Sequence, residues 1–143
     1  MRSLAIIGIL LLSGCASKGG IVTLDSPLCP DKMPDASLKA VRIEIDAVTG
    51  KSVNPKTCYV YSDTTVGWFE ATGKPFDAKF KTKSPEKWGK MKWDSKPVGS
   101  HQEAEFKAKK VDARESFEYD VTSNGINLDP TVIIDPNKPP TNK

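Results

Sequence analysis

The amino-acid sequence predicts a single all-β domain, an antiparallel β-sandwich of about seven to eight short strands. Apolar and polar residues alternate in segment after segment, which is the pattern of half-buried strands. Turn residues recur at intervals of about 8 to 12 residues, which is typical of β-sandwiches. The chain of 143 residues is long enough for one core of ordinary size, and we assign the sandwich to residues 38–134.

The first strands are expected in the segment that precedes residue 70. Three apolar residues alternate with charged ones and predict a strand with one buried and one wet face: Val41, Ile43 and Ile45. β-branched and aromatic residues predict two more strands, at 58–61 (CYVY) and 65–69 (TVGWF), with Trp68 in the core. Turns are predicted at 49–51 (TGK) and 54–56 (NPK).

The remaining strands follow the same alternation. Three further sets of alternating apolar residues predict them: Phe76, Ala78 and Phe80; Ala104, Phe106 and Ala108; Phe117, Tyr119 and Val121. The pair Asn124-Gly125 indicates a tight turn, and TVII at 131–134 predicts the last strand. Residues 84–100 show no clear period, and the proline-containing segment 135–143 is expected to be a disordered tail.

The N-terminal residues 1–14 have the features of an export signal. Arg2 is followed by an apolar run, 4–12, and then by the small residues Ser13 and Gly14. A run of about nine apolar residues is too short for a transmembrane helix, which needs roughly 20. The stretch 12–15 (LSGC) resembles the lipobox of bacterial lipoproteins. An ordinary signal peptide is the alternative.

The lipobox resemblance implies a position in the cell. It implies cleavage before Cys15, a lipid on that cysteine, and anchoring in the membrane. Ala16 follows the cysteine where an Asp would resemble the inner-membrane retention signal, so the expected location is the outer membrane, facing the periplasm. Residues 15–37 would then be a lipidated tether and a proline-containing arm.

The two remaining cysteines, Cys29 and Cys58, are expected to form a disulfide, because an exported chain folds in an oxidising compartment. The bridge would fasten the arm to the strand that carries Cys58. A redox or metal pair is the alternative, but the CxxC spacing typical of such pairs is absent.

From residue 58 onward the layout resembles the cupredoxin-like sandwich. The resemblance rests on TVGW at 65–68, on Phe76 and Phe80, on FEYDV at 117–121 and on a closing segment at 125–134. A blue-copper site needs two histidines and a free cysteine, whereas His101 is the single histidine of this chain. The resemblance therefore implies a copper-free relative, with an immunoglobulin-like sandwich as the alternative, and no metal or other cofactor is expected.

The sequence contains no pattern typical of an enzyme. It has no nucleophile elbow, P-loop, HExxH or GxGxxG motif, and Ser100-His101 is the single Ser/His adjacency. A net charge of +3 is too small to indicate a nucleic-acid-binding protein. We expect no enzymatic activity and no catalytic residues.

One segment indicates a contact surface. Residues 79–96 contain seven lysines and two tryptophans, and tryptophan and methionine are enriched where proteins meet. The predicted partner-binding residues are Trp88, Lys90, Met91, Lys92 and Trp93. Alternatively, the tryptophans cover an open end of the sandwich, or the segment touches a membrane or an anionic polymer.

These observations predict a non-enzymatic, lipid-anchored protein of the cell envelope that binds an envelope protein through the basic, tryptophan-containing loop. An inhibitor of a periplasmic enzyme, or an immunity lipoprotein, is the alternative. A carrier of a small ligand or metal is the third possibility.

Overall fold

The structure, a computed structural model, describes residues 20–46 and 52–137. The predicted leader, Cys15, the turn at 49–51 and residues 138–143 lie outside this part. The described residues form eleven β-strands and no helix: β1 (Ala40–Asp46), β2 (Ser52–Asn54), β3 (Thr57–Tyr61), β4 (Thr65–Glu70), β5 (Asp77–Phe80), β6 (Lys92–Asp94), β7 (Lys96–Val98), β8 (His101–Lys107), β9 (Glu115–Ser123), β10 (Ile126–Leu128) and β11 (Thr131–Asp135).

The strands form two sheets that pack face to face, so the predicted all-β sandwich is confirmed. The first sheet has the order β2-β1-β4-β8-β7, and the second has the order β3-β11-β9-β5-β6, with β10 also paired to β9. Two pairings are parallel, β1 with β4 and β3 with β11, and the others are antiparallel. Four of the eleven strands are only three residues long. Three residues are too few to show a clear period in the sequence, so the sequence predicts fewer strands than the structure contains.

The core lies between the two sheets and follows the predicted alternation. The apolar residues of β1 and β9 are buried and alternate with partly or fully exposed residues. Five aromatic rings form the centre of this core, with contacting ring centroids between 4.9 and 6.3 Å apart: Trp68, Phe80, Trp93, Phe106 and Tyr119. Trp68 is completely buried, as predicted.

The closing segment of the chain forms one long hairpin with β9. Ser123 pairs with Ile126, and the two residues between them, Asn124 and Gly125, have φ angles of 51° and 74°. Positive φ at both positions is the requirement of a type I′ turn, which confirms the predicted turn. Both β10 and β11 pair with β9 in one continuous register, with 129–130 between them.

The last strand extends one residue beyond the expected boundary of the tail. Asp135 pairs with Tyr61 and ends β11. Its carboxylate accepts two hydrogen bonds from the Arg114 guanidinium, at 2.6 and 2.7 Å. These bonds lower the pKa of Asp135 below its ordinary value. Asp135 is therefore part of the sandwich.

The arm and a short crossing segment close the two edges of the sandwich. At one edge Cys29 donates its N–H to the Arg42 carbonyl on β1, at 2.8 Å, and Pro30 accepts the N–H of Tyr59 on β3, at 3.0 Å. At the other edge Ser95 is the single residue between β6 of the second sheet and β7 of the first. The proline-containing arm is thus a structural part of the fold.

The predicted disulfide is present between Cys29 and Cys58. Their Cα atoms are 5.5 Å apart and the sequence separation is 29 residues. Both cysteines are buried in the core. Because Cys58 lies in β3, the bridge fastens the arm to the second sheet, as the sequence predicts.

Candidate functional site

The structure separates the two tryptophans of the predicted contact segment. Trp93 is only 5% exposed and packs against Trp68, Phe80 and Phe106, so the prediction that it contacts a partner is wrong. The reason is the alternation of β6, in which Lys92 and Asp94 are exposed and the residue between them faces the core. Met91 is partly buried and also packs against the core.

Trp88, in contrast, is 82% exposed. It lies in a tight turn that precedes β6 and that is held by hydrogen bonds around Glu86. The Glu86 carbonyl accepts the N–H of Gly89 at 3.2 Å, and the Glu86 carboxylate accepts the N–H of Lys90 at 3.2 Å. The buried Ser84 hydroxyl accepts the N–H of Glu86 at 3.1 Å. The turn therefore presents the indole on a fixed backbone.

The turn is fastened to the end of β8. Glu86 forms an isolated β-bridge with Ala108, and Lys109 donates its N–H to the Pro85 carbonyl at 2.8 Å. This contact brings a second basic segment, 107–110 (KAKK), next to Trp88. Two segments that are about twenty residues apart in the sequence form one surface.

We call this surface the Trp88 groove. It is an open cleft of about 600 Å³, lined by Asp63, Glu86, Lys87, Trp88, Lys107, Ala108, Lys109 and Lys110. None of its four lysines forms a salt bridge with a carboxylate of the described residues. The Lys87 ammonium lies 4.9 Å from the centroid of the Trp88 ring, within the range of a cation–π contact.

Both carboxylates of the Trp88 groove are engaged by other groups of the protein. Glu86 accepts the N–H of Lys90, as described above, and Asp63 accepts a hydrogen bond from the Asn137 side chain at 3.4 Å. The lysines therefore give the groove an excess of positive charge. The Lys109 ammonium lies 5.0 Å from the centroid of the Phe117 ring, so the exposed Lys107 and Lys110 offer the ammonium groups that are most open to an anionic partner.

The other two predicted contact residues lie outside the Trp88 groove. Lys90 lines a separate cavity of about 330 Å³ next to Gly20, and its ammonium lies 5.2 Å from the Trp93 ring centroid. Lys92 forms a salt bridge with Asp94 on the exposed side of β6, at 3.2 Å. Sequence reasoning missed the lysines of 107–110, because their place beside Trp88 depends on the long-range bridge between Glu86 and Ala108.

The single histidine and the buried carboxylate of Glu70 have structural roles. His101 lies at the start of β8, with Nε2 3.1 Å from the Glu103 carboxylate. Glu70 is buried and accepts the backbone N–H groups of Thr72 and Lys74, which holds the turn after β4. Among residues 20–46 and 52–137, no three His, Cys, Asp or Glu side chains are grouped so that they could hold a metal.

Comparison with solved structures gives matches of low similarity to this chain. A structure of an oxidized mutant of amicyanin, a cupredoxin, matches with a TM-score of 0.43 and 14% sequence identity, covering 77% of this chain and 92% of that chain. Identity at this level does not carry an activity from one protein to the other. No protein-family model and no curated protein matches the chain. In the described part of the chain, no helix is long and apolar enough to span a membrane.

Proposed function

We propose that this chain is a non-enzymatic lipoprotein of the cell envelope that binds a partner protein through the Trp88 groove. Its lipid would be carried by Cys15 and would hold it in the outer membrane, facing the periplasm. The observation that supports binding is the 82% exposure of Trp88 on a turn that is fixed by hydrogen bonds, in a groove whose lysines form no salt bridge with a described carboxylate.

The exposed indole of Trp88 favours burial against a partner, because apolar surface in water is unfavourable. Trp68 and Trp93 contribute their rings to the core, whereas Trp88 leaves most of its apolar surface in water. Covering this ring with a partner removes that surface from water, and tryptophan is among the residues that dominate binding energy. Because hydrogen bonds already order the backbone of the turn, binding costs little further backbone conformational entropy.

The lysines of the Trp88 groove add selectivity to this contact. Positive charge around the ring accelerates association with an acidic surface and disfavours basic ones. Lys107 and Lys110 are exposed and lie next to the ring. A partner with a carboxylate-rich surface is therefore the one that this groove would bind best.

Site-directed photocrosslinking in cells tests the proposal. A photoreactive residue in place of Lys110 should capture one defined protein, and the additional substitution Trp88→Ala should abolish that capture. The matched control is Lys74, an exposed lysine in the loop between β4 and β5, at the opposite end of the sandwich. Equal capture from both positions, or capture that survives Trp88→Ala, would show that the groove is not the binding site.

The identity of the captured protein decides between the two forms of this function. A structural or assembly protein would fit an envelope interaction module. A periplasmic enzyme whose activity falls when this protein is added would instead fit an inhibitor or immunity protein.

A further inference from the structure

The first described residues of the chain lie across the outer face of the first sheet. We call residues 20–24 the strap. Ile21 and Val22 donate their backbone N–H groups to the two carboxylate oxygens of Glu105 on β8, at 3.2 and 3.0 Å. Gly20 donates its N–H to the Glu103 carboxylate at 3.4 Å. The strap is therefore bound to β8 through its main chain.

The strap is also fixed by a notch in the neighbouring strand β4. Val22 is 2% exposed and lies directly over Gly67, where a Cβ atom would be only 2.7 Å from Val22. Gly67 pairs with Arg42 of β1 on one side and with Glu105 of β8 on the other. Because Gly67 has no side chain, Val22 can pack against the backbone of β4 and is buried there.

The strap leaves two large aliphatic side chains in water. Ile21 is 72% exposed and Leu24 is 53% exposed, although Val22 between them is buried. Leu24 lies towards β1, where it lines a shallow cleft with Arg42 and Glu44. An ordered segment therefore presents apolar groups on the outer side of the first sheet.

The number of residues before the strap limits what can cover these groups. Only residues 16–19 separate Cys15 from Gly20. A fully extended chain spans at most ~3.6 Å per residue, so Gly20 lies within about 18 Å of Cys15. If Cys15 carries a lipid, the strap is held next to the bilayer surface.

We infer that the outer side of the first sheet faces the bilayer, with Ile21 and Leu24 in contact with the lipid surface. This inference rests on the lipid anchor of the proposed function. Two aliphatic side chains would bind a membrane weakly by themselves. The tether makes the contact intramolecular, with an effective concentration in the millimolar range, so a weak contact suffices to orient the domain.

Quenching of tryptophan fluorescence by brominated lipids tests the orientation. The full lipidated protein is placed in vesicles of phosphatidylethanolamine and phosphatidylglycerol with bromine on the acyl chains. The substitution Trp88→Phe removes the exposed indole, and the buried Trp68 and Trp93 give a constant background. Reporters are then introduced one at a time as Ile21→Trp and Leu24→Trp.

The matched control is Ile126→Trp, because Ile126 is a partly exposed apolar residue of β10, which belongs to the second sheet. We expect the reporters at 21 and 24 to lose most of their emission and to shift to shorter wavelength, while the reporter at 126 keeps its emission. Mass spectrometry of the same samples shows whether the lipid is attached.

The outcomes are distinguishable from those of the proposed function. A lipidated protein whose reporters at 21 and 24 are not quenched, or whose reporter at 126 is quenched equally, overturns the orientation and leaves the lipoprotein assignment intact. A protein without lipid overturns both. A photoreactive residue at 21 that captures a protein in cells, and not lipid, would assign the strap side to a protein partner and also overturn the inference.

Discussion

The substitution Tyr119→Phe tests the polar contact at the centre of the core. The Tyr119 hydroxyl accepts the indole N–H of Trp68 at 3.0 Å, and neither residue has any exposed surface. Removing the hydroxyl leaves a buried donor without a partner, which costs about 1 to 3 kcal/mol. We expect a loss of about 2 kcal/mol in the free energy of unfolding at pH 7. For a domain of this size, that lowers Tm by about 6 to 8 °C.

The same residue predicts a dependence on alkaline pH. Burial raises the pKa of Tyr119 above its ordinary value of 10.0. Above pH 10 the unfolded chain therefore loses the phenolic proton while the folded protein keeps it, and the stability of the wild type falls by up to about 1.4 kcal/mol per pH unit. Tyr119→Phe lacks this ionisation. The difference in the free energy of unfolding between variant and wild type should therefore become smaller as pH rises above 10.

Urea denaturation at pH 7 and at a series of alkaline pH values measures both effects. Tyr59→Phe is the matched control, because Tyr59 is only partly buried and its hydroxyl forms no hydrogen bond within the described part of the chain. If Tyr119→Phe is no more destabilising than the control at pH 7, the hydrogen bond between Trp68 and Tyr119 does not stabilise the folded protein as expected. If the difference in the free energy of unfolding between variant and wild type stays constant across the alkaline range, the pKa of Tyr119 is not raised in the folded protein. That outcome would leave the expectation at pH 7 unaffected.

Three further predictions concern the arm, the strap and the anchor. Replacing Cys29 and Cys58 by Ala should lower the free energy of unfolding by about 3 to 4 kcal/mol, since the bridge closes a loop of about 30 residues; urea denaturation with and without reductant measures this. Gly67→Ala should displace Val22 and lower the free energy of unfolding by about 1 kcal/mol, because the lost burial of the Val22 side chain exceeds the gain from a less flexible unfolded chain. Hydrogen exchange at the Val22 amide should become faster. Cys15→Ala should abolish fatty-acid labelling and release the protein from membranes; labelling that persists would contradict the lipobox assignment.

The sequence predicts most of the longer strands well because they have one buried face, whereas every residue of β4 is buried and the short strands β7 and β10 have no buried residue. In β1 and β9 the side chains alternate between core and solvent, and this period is visible in the residues themselves. The order of the strands leaves no such local pattern. The parallel pairing of β1 with β4 and the contact of the arm with both sheets depend on long-range packing. The notch at Gly67 is equally invisible, because nothing local distinguishes it from any other glycine in a strand.

Trp88 and Trp93 show how far the neighbouring residues in the sequence predict whether a tryptophan lies on the surface or in the core. Both are flanked by lysine, and composition therefore assigns them to the same surface. The flanking residues of Trp93 alternate, however, and its partner across the sheet is the small residue Ala78, which leaves space for an indole in the core. The charged residues on both sides of Trp93 are a local signal, whereas its pairing with Ala78 depends on the fold.

The part of the Trp88 groove that residues 107–110 form could not be predicted from a local sequence pattern. Lys107, Lys109 and Lys110 reach Trp88 because Glu86 bridges to Ala108, a contact that depends on the relative position of a turn and the end of a strand. A surface made of two segments has no signature in either one. Substitution of Lys107 by Ala should therefore weaken partner binding as strongly as substitution of Lys87 by Ala, whereas substitution of Lys92, which forms a salt bridge with Asp94 outside the groove, should leave partner binding unchanged.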